Sequence, residues 1–304
     1  MIPKDLLAKV RRIEISTSRL VTDLFAGQYH SVFKGQGIEF DEVREYNFGD
    51  DVRQIDWNVT ARTGRPHIKK YIEERELTVM LMIDVSASEF FGTRYRLKSQ
   101  VAAEIAALLG LSAIRNNDKV GLLAFSDRVE RFIPPRKGRR HVLRVIREAL
   151  YCEPRGRGTD IAAALHYFRN ITKRRTICFC VSDFWGSGAW TAAGDIRPEF
   201  QRQLAVTNLR HDLIAVSLHD PAEAVLAGEG LVFLRDAETG EGRLVDAGDR
   251  RQRGQLRAMF ERRRSALREC FRSAGMDHIF IQSDADYAEA FIRFFKKRRK
   301  QAGR

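Results

Sequence analysis

Asp84-Val85-Ser86-Ala87-Ser88 sets a carboxylate and two hydroxyls at alternate positions, directly after the apolar run Leu77–Ile83. On a loop leaving a strand, side chains spaced by two share a side, so these oxygens can converge on one small ion. Carboxylate and hydroxyl oxygens are hard donors. They suit Mg²⁺, with Mn²⁺ or Ca²⁺ as alternatives, and they disfavour zinc. The same residue types also build turns and helix caps, so the string alone is a weak signal for a metal site. Two later segments add oxygens of the same class. Gly156-Arg157-Gly158-Thr159-Asp160 precedes a helical pattern, where Thr159 is either a ligand or an N-cap. Ser182-Asp183 ends a second apolar run and leads into Phe184-Trp185-Gly186-Ser187-Gly188.

These segments need a sheet to hold them. From Leu77 onward, strand and helix patterns alternate, which predicts an α/β fold: a doubly wound, mostly parallel sheet flanked by helices. Leu77–Ile83, Val120–Phe125, Thr176–Ser182, Asp212–Leu218 and His278–Gln282 read as strands, with Val129–Ile133 as a hairpin partner of the second. Helices are expected with Leu97, Val101, Ile105 and Leu108 on one stripe, then over His141–Tyr151, Asp160–Ile171, Pro198–Leu209 and Arg250–Ser273. A last helix is expected to start at a Ser283 or Asp284 cap and to place Tyr287, Phe291, Phe294 and Phe295 on one face. A β-hairpin insertion is expected near 231–247, with Thr239-Gly240-Glu241-Gly242 near its turn. Residues 1–76 read as an N-terminal extension with irregular strands and a helix carrying Leu6, Leu7, Val10 and Ile13; residues 77–304 read as the main domain.

Fifty-three Lys and Arg against forty Asp and Glu leave a net charge of +13. Sixteen basic and six acidic residues fall between Arg250 and Arg304, so most of that excess lies in the last fifth of the chain. A solvated helix face and tail is the plainest reading, with an acidic protein partner next. No zinc-finger spacing or aromatic-interleaved basic motif points to nucleic acid. Cys178 and Cys180 lie two apart in a strand and should share a buried face; the four cysteines fit no structural zinc pattern. No signal-peptide core is present, and the longest near-apolar run, Val101–Ile114, is too short to span a bilayer. A cytoplasmic protein without a transmembrane segment is the expectation.

The ordered set Asp-x-Ser-x-Ser, Thr, Asp resembles the metal-ion-dependent adhesion site of von Willebrand A domains, a fold with a Rossmann-like sheet. The resemblance implies a metal set of Asp84, Ser86, Ser88, Thr159 and Asp183: the two serines as direct ligands, Thr159 as a direct ligand in the partner-bound state, the aspartates acting through water. A partner's carboxylate then fills the open metal position, and no turnover is needed. A second resemblance covers more of the chain. Gly37-Ile38-Glu39-Phe40, Arg44-Glu45-Tyr46, Gly49-Asp50-Asp51-Val52-Arg53, Ile55-Asp56-Trp57, Ala61-Arg62, Glu74-Arg75, and Leu234-Arg235-Asp236 with Thr239-Gly240 are similar to domain-of-unknown-function 58 proteins. That resemblance implies a MoxR-type AAA+ ATPase as partner and an adaptor or chaperone-like role. Many such relatives carry N-terminal transmembrane helices.

Asp50, Arg53, Asp56 and Trp57 read either as a network that pins the extension, with Trp57 as its buried anchor, or as a second recognition surface. Two other function classes stay open. A metal-assisted hydrolase or phosphatase is the first, although no general base stands out: His141, His166 and His211 sit on expected helices or at a strand start. No Gly-x-Ser-x-Gly elbow or phosphate-binding Gly-x-x-x-x-Gly-Lys loop occurs. The second is binding of nucleic acid or anionic membrane through Lys296-Lys297-Arg298-Arg299-Lys300.

Overall fold

The structure, a computed structural model, describes residues 39–72, 76–92, 96–186, 188–191, 193–225 and 230–302. The expected helix around Leu6–Ile13, and Gly37, Ile38, Glu74 and Arg75, lie outside them. Two compact units divide between Leu77 and Thr78.

The smaller unit is an antiparallel ladder of β1 (Glu39–Glu45) and β2 (His67–Ile72) with a bulge between Phe40 and Glu42. Its connection contains a short helix, α1 (Trp57–Thr63), where only irregular strands were expected. Asp56 caps that helix by accepting the N–H groups of Asn58 and Val59 at 2.9 and 3.3 Å, and Gly64 closes it at φ +73°.

The larger unit is built on a six-stranded sheet in the order β10-β7-β6-β3-β4-β5. Its strands are β3 (Thr78–Asp84), β4 (Lys119–Phe125), β5 (Val129–Arg136), β6 (Ile177–Ser182), β7 (Asp212–His219) and β10 (Asp277–Gln282). Only the β4–β5 pair is antiparallel. Parallel strands covered on both faces must be apolar throughout, and β6 is buried at every position.

Met80 and Met82 pack with Cys178 and Cys180 on one face, under α4 (Ile161–Ile171), α5 (Pro198–Arg210) and α6 (Arg250–Ser273). The other face carries α2 (Lys98–Arg115), α3 (Arg139–Tyr151) and α7 (Tyr287–Ala302), with Phe291 against Phe179 at 6.2 Å. Helices α2 and α3 approach closely because Gly110 has no side chain; a Cβ there would lie 2.8 Å from Val142 Cγ1. The architecture is thus α/β and doubly wound. The hairpin of β8 (Leu231–Arg235) and β9 (Gly242–Asp246) stands apart from the sheet as its own ladder.

Two expectations near the C-terminus need correction. The backbone N–H groups of Ala288 and Glu289 at the start of α7 are accepted by Asp286, not by Ser283 or Asp284, because the Ser283 hydroxyl is taken by Asp220 at 2.7 Å. Nor is Lys296–Lys300 a tail: it forms the final turns of α7, and Arg298 donates to Asp212 at 2.5 Å.

Candidate metal centre

β3 and β6 run parallel with Met82 paired to Cys180 and Ile83 to Val181, so both strands end at the same edge of the sheet. The chain continues from β3 to a neighbour on one side, β4, and later returns to β6 on the other. Crevices at such reversals are where open α/β sheets bind ligands.

Asp84 sits at the end of β3 and is buried. Its Oδ1 accepts the Ser86 N–H at 2.9 Å and its Oδ2 accepts the Ser182 hydroxyl at 2.5 Å. The Ser86 and Ser88 hydroxyls lie 3.2 Å apart. At the end of β6 the chain reverses through Phe184, a bulky residue held at φ +60°. That conformation costs about 1–2 kcal/mol outside glycine. Tertiary contacts hold it: the Phe184 N–H donates to Ser182 Oγ at 3.0 Å, Trp190 Nε1–H donates to the Phe184 carbonyl at 2.7 Å, and the ring packs on Phe271. The turn directs Asp183 so that its Oδ1 accepts the Trp185 N–H at 2.9 Å.

Asp84, Asp183 and Glu89 each bring a carboxylate oxygen within 4.8 Å of the other two, and all three are buried. Glu89 Oε1 accepts the Asp183 N–H at 3.1 Å, while its Oε2 is buried with no partner among the described residues. The first residue of α2, Lys98, is 1% exposed and extends its ammonium to Asp183 Oδ2 and Glu223 Oε1, both at 2.6 Å. A lysine at a helix N-terminus opposes the helix dipole, so its place there marks a demand for positive charge. Burial works against that ammonium, yet Asp183, Glu89 and Glu223 outweigh it and hold it charged. Burial, with the charge of Asp183 added, pushes the Asp84 carboxyl up to about 7. Burial also lifts Glu89 well above the usual carboxylate range. For Asp183, burial is overcome by Lys98, and its carboxyl falls below the usual range.

Three buried carboxylates served by one ammonium are short of positive charge, and Glu89 Oε2 is an orphaned acceptor. The donors are all hard oxygens, so the residues fit a divalent cation of the Mg²⁺ class. Asp84, Ser86, Ser88 and Asp183 are the groups that would hold it. Thr159, the fifth residue of the expected set, has its hydroxyl engaged by another carboxylate. Asp160, not Thr159, caps α4 by accepting the Ala163 N–H at 2.9 Å. Thr159 lies against the turn after Asp183, where a Cβ on Gly186 would come within 2.4 Å of its own Cβ. Its hydroxyl donates to Glu238 of the β8–β9 turn at 2.6 Å. The Thr159 loop is pinned by Glu130, which accepts the Ser126 hydroxyl and the Gly156 N–H at 2.6 and 2.8 Å.

The acidic-aromatic residues of the smaller unit have different partners among the described residues. Asp50 pairs with Arg44 through two 2.8 Å bonds, and that guanidinium holds its carboxyl below the usual range. Asp56 is a helix cap and Arg53 is exposed. Trp57 is 70% exposed and is no buried anchor, because the cap presents it at the first, outward position of α1. Sequence reasoning missed Glu89, Lys98, Glu223 and Glu238. Of these, only Lys98 left a signal, as a cation where a helix starts.

The protein family of unknown function DUF58 matches residues 42–268. An uncharacterized protein of Mycobacterium tuberculosis is 30% identical over 299 residues, which covers 98% of this chain and 91% of that protein. Among solved structures, an aerotolerance-related membrane protein from Bacteroides fragilis aligns with TM-score 0.49 and 14% identity, over 73% of this chain and 99% of that one. The VWA domain of SpRpn10 aligns with TM-score 0.37 and 11% identity, over 72% and 94%. No helix among the described residues is long and apolar enough to cross a membrane. That places the chain in no compartment, and the expectation of a cytoplasmic protein does not stand; two of the aligned structures bear descriptions as membrane proteins. By the extent of the family match and of the mycobacterial relative, this chain belongs to the DUF58 family of proteins of unknown function.

Proposed function

We propose that this chain is a metal-dependent protein-interaction module that receives a carboxylate of a partner at a Mg²⁺ site. The observation that carries the reading is the buried convergence of Asp84, Asp183 and Glu89 within 4.8 Å, with the Ser86 and Ser88 hydroxyls beside them. A bound Mg²⁺ supplies an electron-poor position that an Asp or Glu side chain can fill. The chain's own residues shape that position. Asp84 fixes the Ser86 backbone, and Lys98 neutralises the inner oxygen of Asp183. A cavity of about 790 Å³ opens beside Ser88 and Asp183, lined by Trp185, Trp190, Phe260 and Arg263. Its size and apolar walls suit a side chain flanking the acidic residue.

The family resemblance favours a MoxR-type AAA+ ATPase as the partner, with this chain as its adaptor. Binding is preferred over hydrolysis on the placement of His219. That histidine lies beside Asp183 and Glu223, but it is packed among Trp185, Phe260 and Phe280 and does not line the cavity. The test is co-purification with the MoxR-type ATPase in Mg²⁺, in EDTA and with Asp84→Ala. Capture that needs both the metal and Asp84 is expected. Capture indifferent to both contradicts the proposal.

A further inference from the structure

Glu238 faces inward from the β8–β9 turn beside exposed neighbours: Asp236, Ala237 and Thr239 are exposed, whereas Glu238 is half-buried. The turn is built to present it. Asp236 Oδ1 accepts the N–H groups of Glu238 and Thr239 at 2.9 and 2.8 Å, the Asp236 N–H donates to the Glu241 carbonyl at 2.8 Å, and Gly240 takes φ +76°. The carboxylate then accepts the Thr159 hydroxyl at 2.6 Å, and its second oxygen lies 3.8 Å from where a Cβ on Gly158 would be. An ordinary surface turn has no need to send an acidic side chain toward a site already rich in carboxylates. Glu238 feels the charge of Asp183, and with Asp183 and Ser88 it lines the same cavity.

We infer that Glu238 is the chain's own occupant of the partner-carboxylate position: the β8–β9 hairpin closes the metal centre in cis, and an acidic partner segment binds by displacing it. This rests on the metal-dependent reading above and adds to it what the site takes at rest. The exposed apolar residues of the hairpin, Leu231, Phe233 and Leu244, travel with Glu238 on displacement. The partner must therefore supply both a carboxylate for the site and contact for a released hairpin. Competition of this kind lowers apparent partner affinity by the fraction of chains already closed.

The test uses the full chain and Mn²⁺ as the probe, with bound metal read by electron paramagnetic resonance. Removing one carboxylate ligand is expected to weaken Mn²⁺ binding by about tenfold in both Glu238→Gln and Glu238→Ala. Acetate should restore affinity to Glu238→Ala, which has a vacant carboxylate position, and should leave the wild type unchanged. Glu241→Ala, an exposed change on the same turn, should match the wild type. Hydrogen exchange over residues 231–246 should slow on adding Mn²⁺ in the wild type and not in Glu238→Gln. Unchanged Mn²⁺ affinity in both Glu238 variants, with no acetate effect, overturns the inference. If Asp84→Asn still abolishes binding in that experiment, the metal centre survives and only the role of Glu238 falls. A wild type that binds no Mn²⁺ sinks both.

Discussion

Two carboxylates at the ends of adjacent strands cannot both be charged without help, and Asp84 is the one left without a cation. Asp183 has Lys98 at 2.6 Å, while Asp84 has only hydroxyl and amide donors. The consequence is a pH dependence with a definite sign. Asp84 is raised to about 7 in the fold from its ordinary 3.8. Between those values the folded chain keeps a proton that the unfolded chain has lost, so this group's contribution to stability falls as pH rises from 4 to 7. Metal-free wild type should therefore lose about 1–3 kcal/mol relative to Asp84→Asn between pH 5 and pH 8, measured by urea unfolding. Saturating Mg²⁺ should flatten the wild-type curve. Parallel curves for the two proteins would show that Asp84 carries no unmet charge. Ser86, Ser88 and the Asp-x-Ser-x-Ser spacing were readable from the chain because local spacing determines them. Glu89 was not, because its part depends on a bond to Asp183, 94 positions away.

At the scale of elements, α2 brings its first residue into the site and its remaining length into the core. Lys98→Met removes the one ammonium that, among the described residues, is paired with both Asp183 and Glu223. Breaking one side of a buried ion pair costs about 3–5 kcal/mol, and that loss is expected in urea unfolding without Mg²⁺. A loss under 1 kcal/mol would mean the site tolerates its charges without Lys98. In the smaller unit, Asp56→Ala removes the cap of α1 and should destabilise by about 1 kcal/mol, whereas Trp57→Ala should stay within about 0.5 kcal/mol. Circular dichroism during urea unfolding separates the two, and the reverse order would contradict the exposed position of Trp57. Sequence patterning found the strands of the sheet because continuous apolar runs leave few alternatives, and it found the long basic helix α6. It missed α1, where a seven-residue helix with no buried residue offers no periodic stripe to detect.

At the scale of the whole molecule, the sheet order brings the groups of the candidate site to one edge. β3 and β6 deliver the acids, the loop before α4 delivers Thr159, and the β8–β9 turn delivers Glu238 to it. The basic excess at the C-terminus is partly structural: Arg298 is tied to Asp212 and Asp277, and Arg263 lies over the rings of Trp185 and Trp190. Architecture was legible from alternation of strands and helices; the insertion's approach to Thr159 was not, since 79 positions separate Thr159 from Glu238. The site's role depends on whether a divalent cation enters between Asp84 and Asp183. Isothermal titration of the full chain with Mg²⁺ at pH 8, beside Asp84→Asn, measures that directly. One saturable site in the wild type, weakened at least about tenfold in Asp84→Asn, is the expected result. No saturable binding, or equal binding by the two proteins, would contradict it.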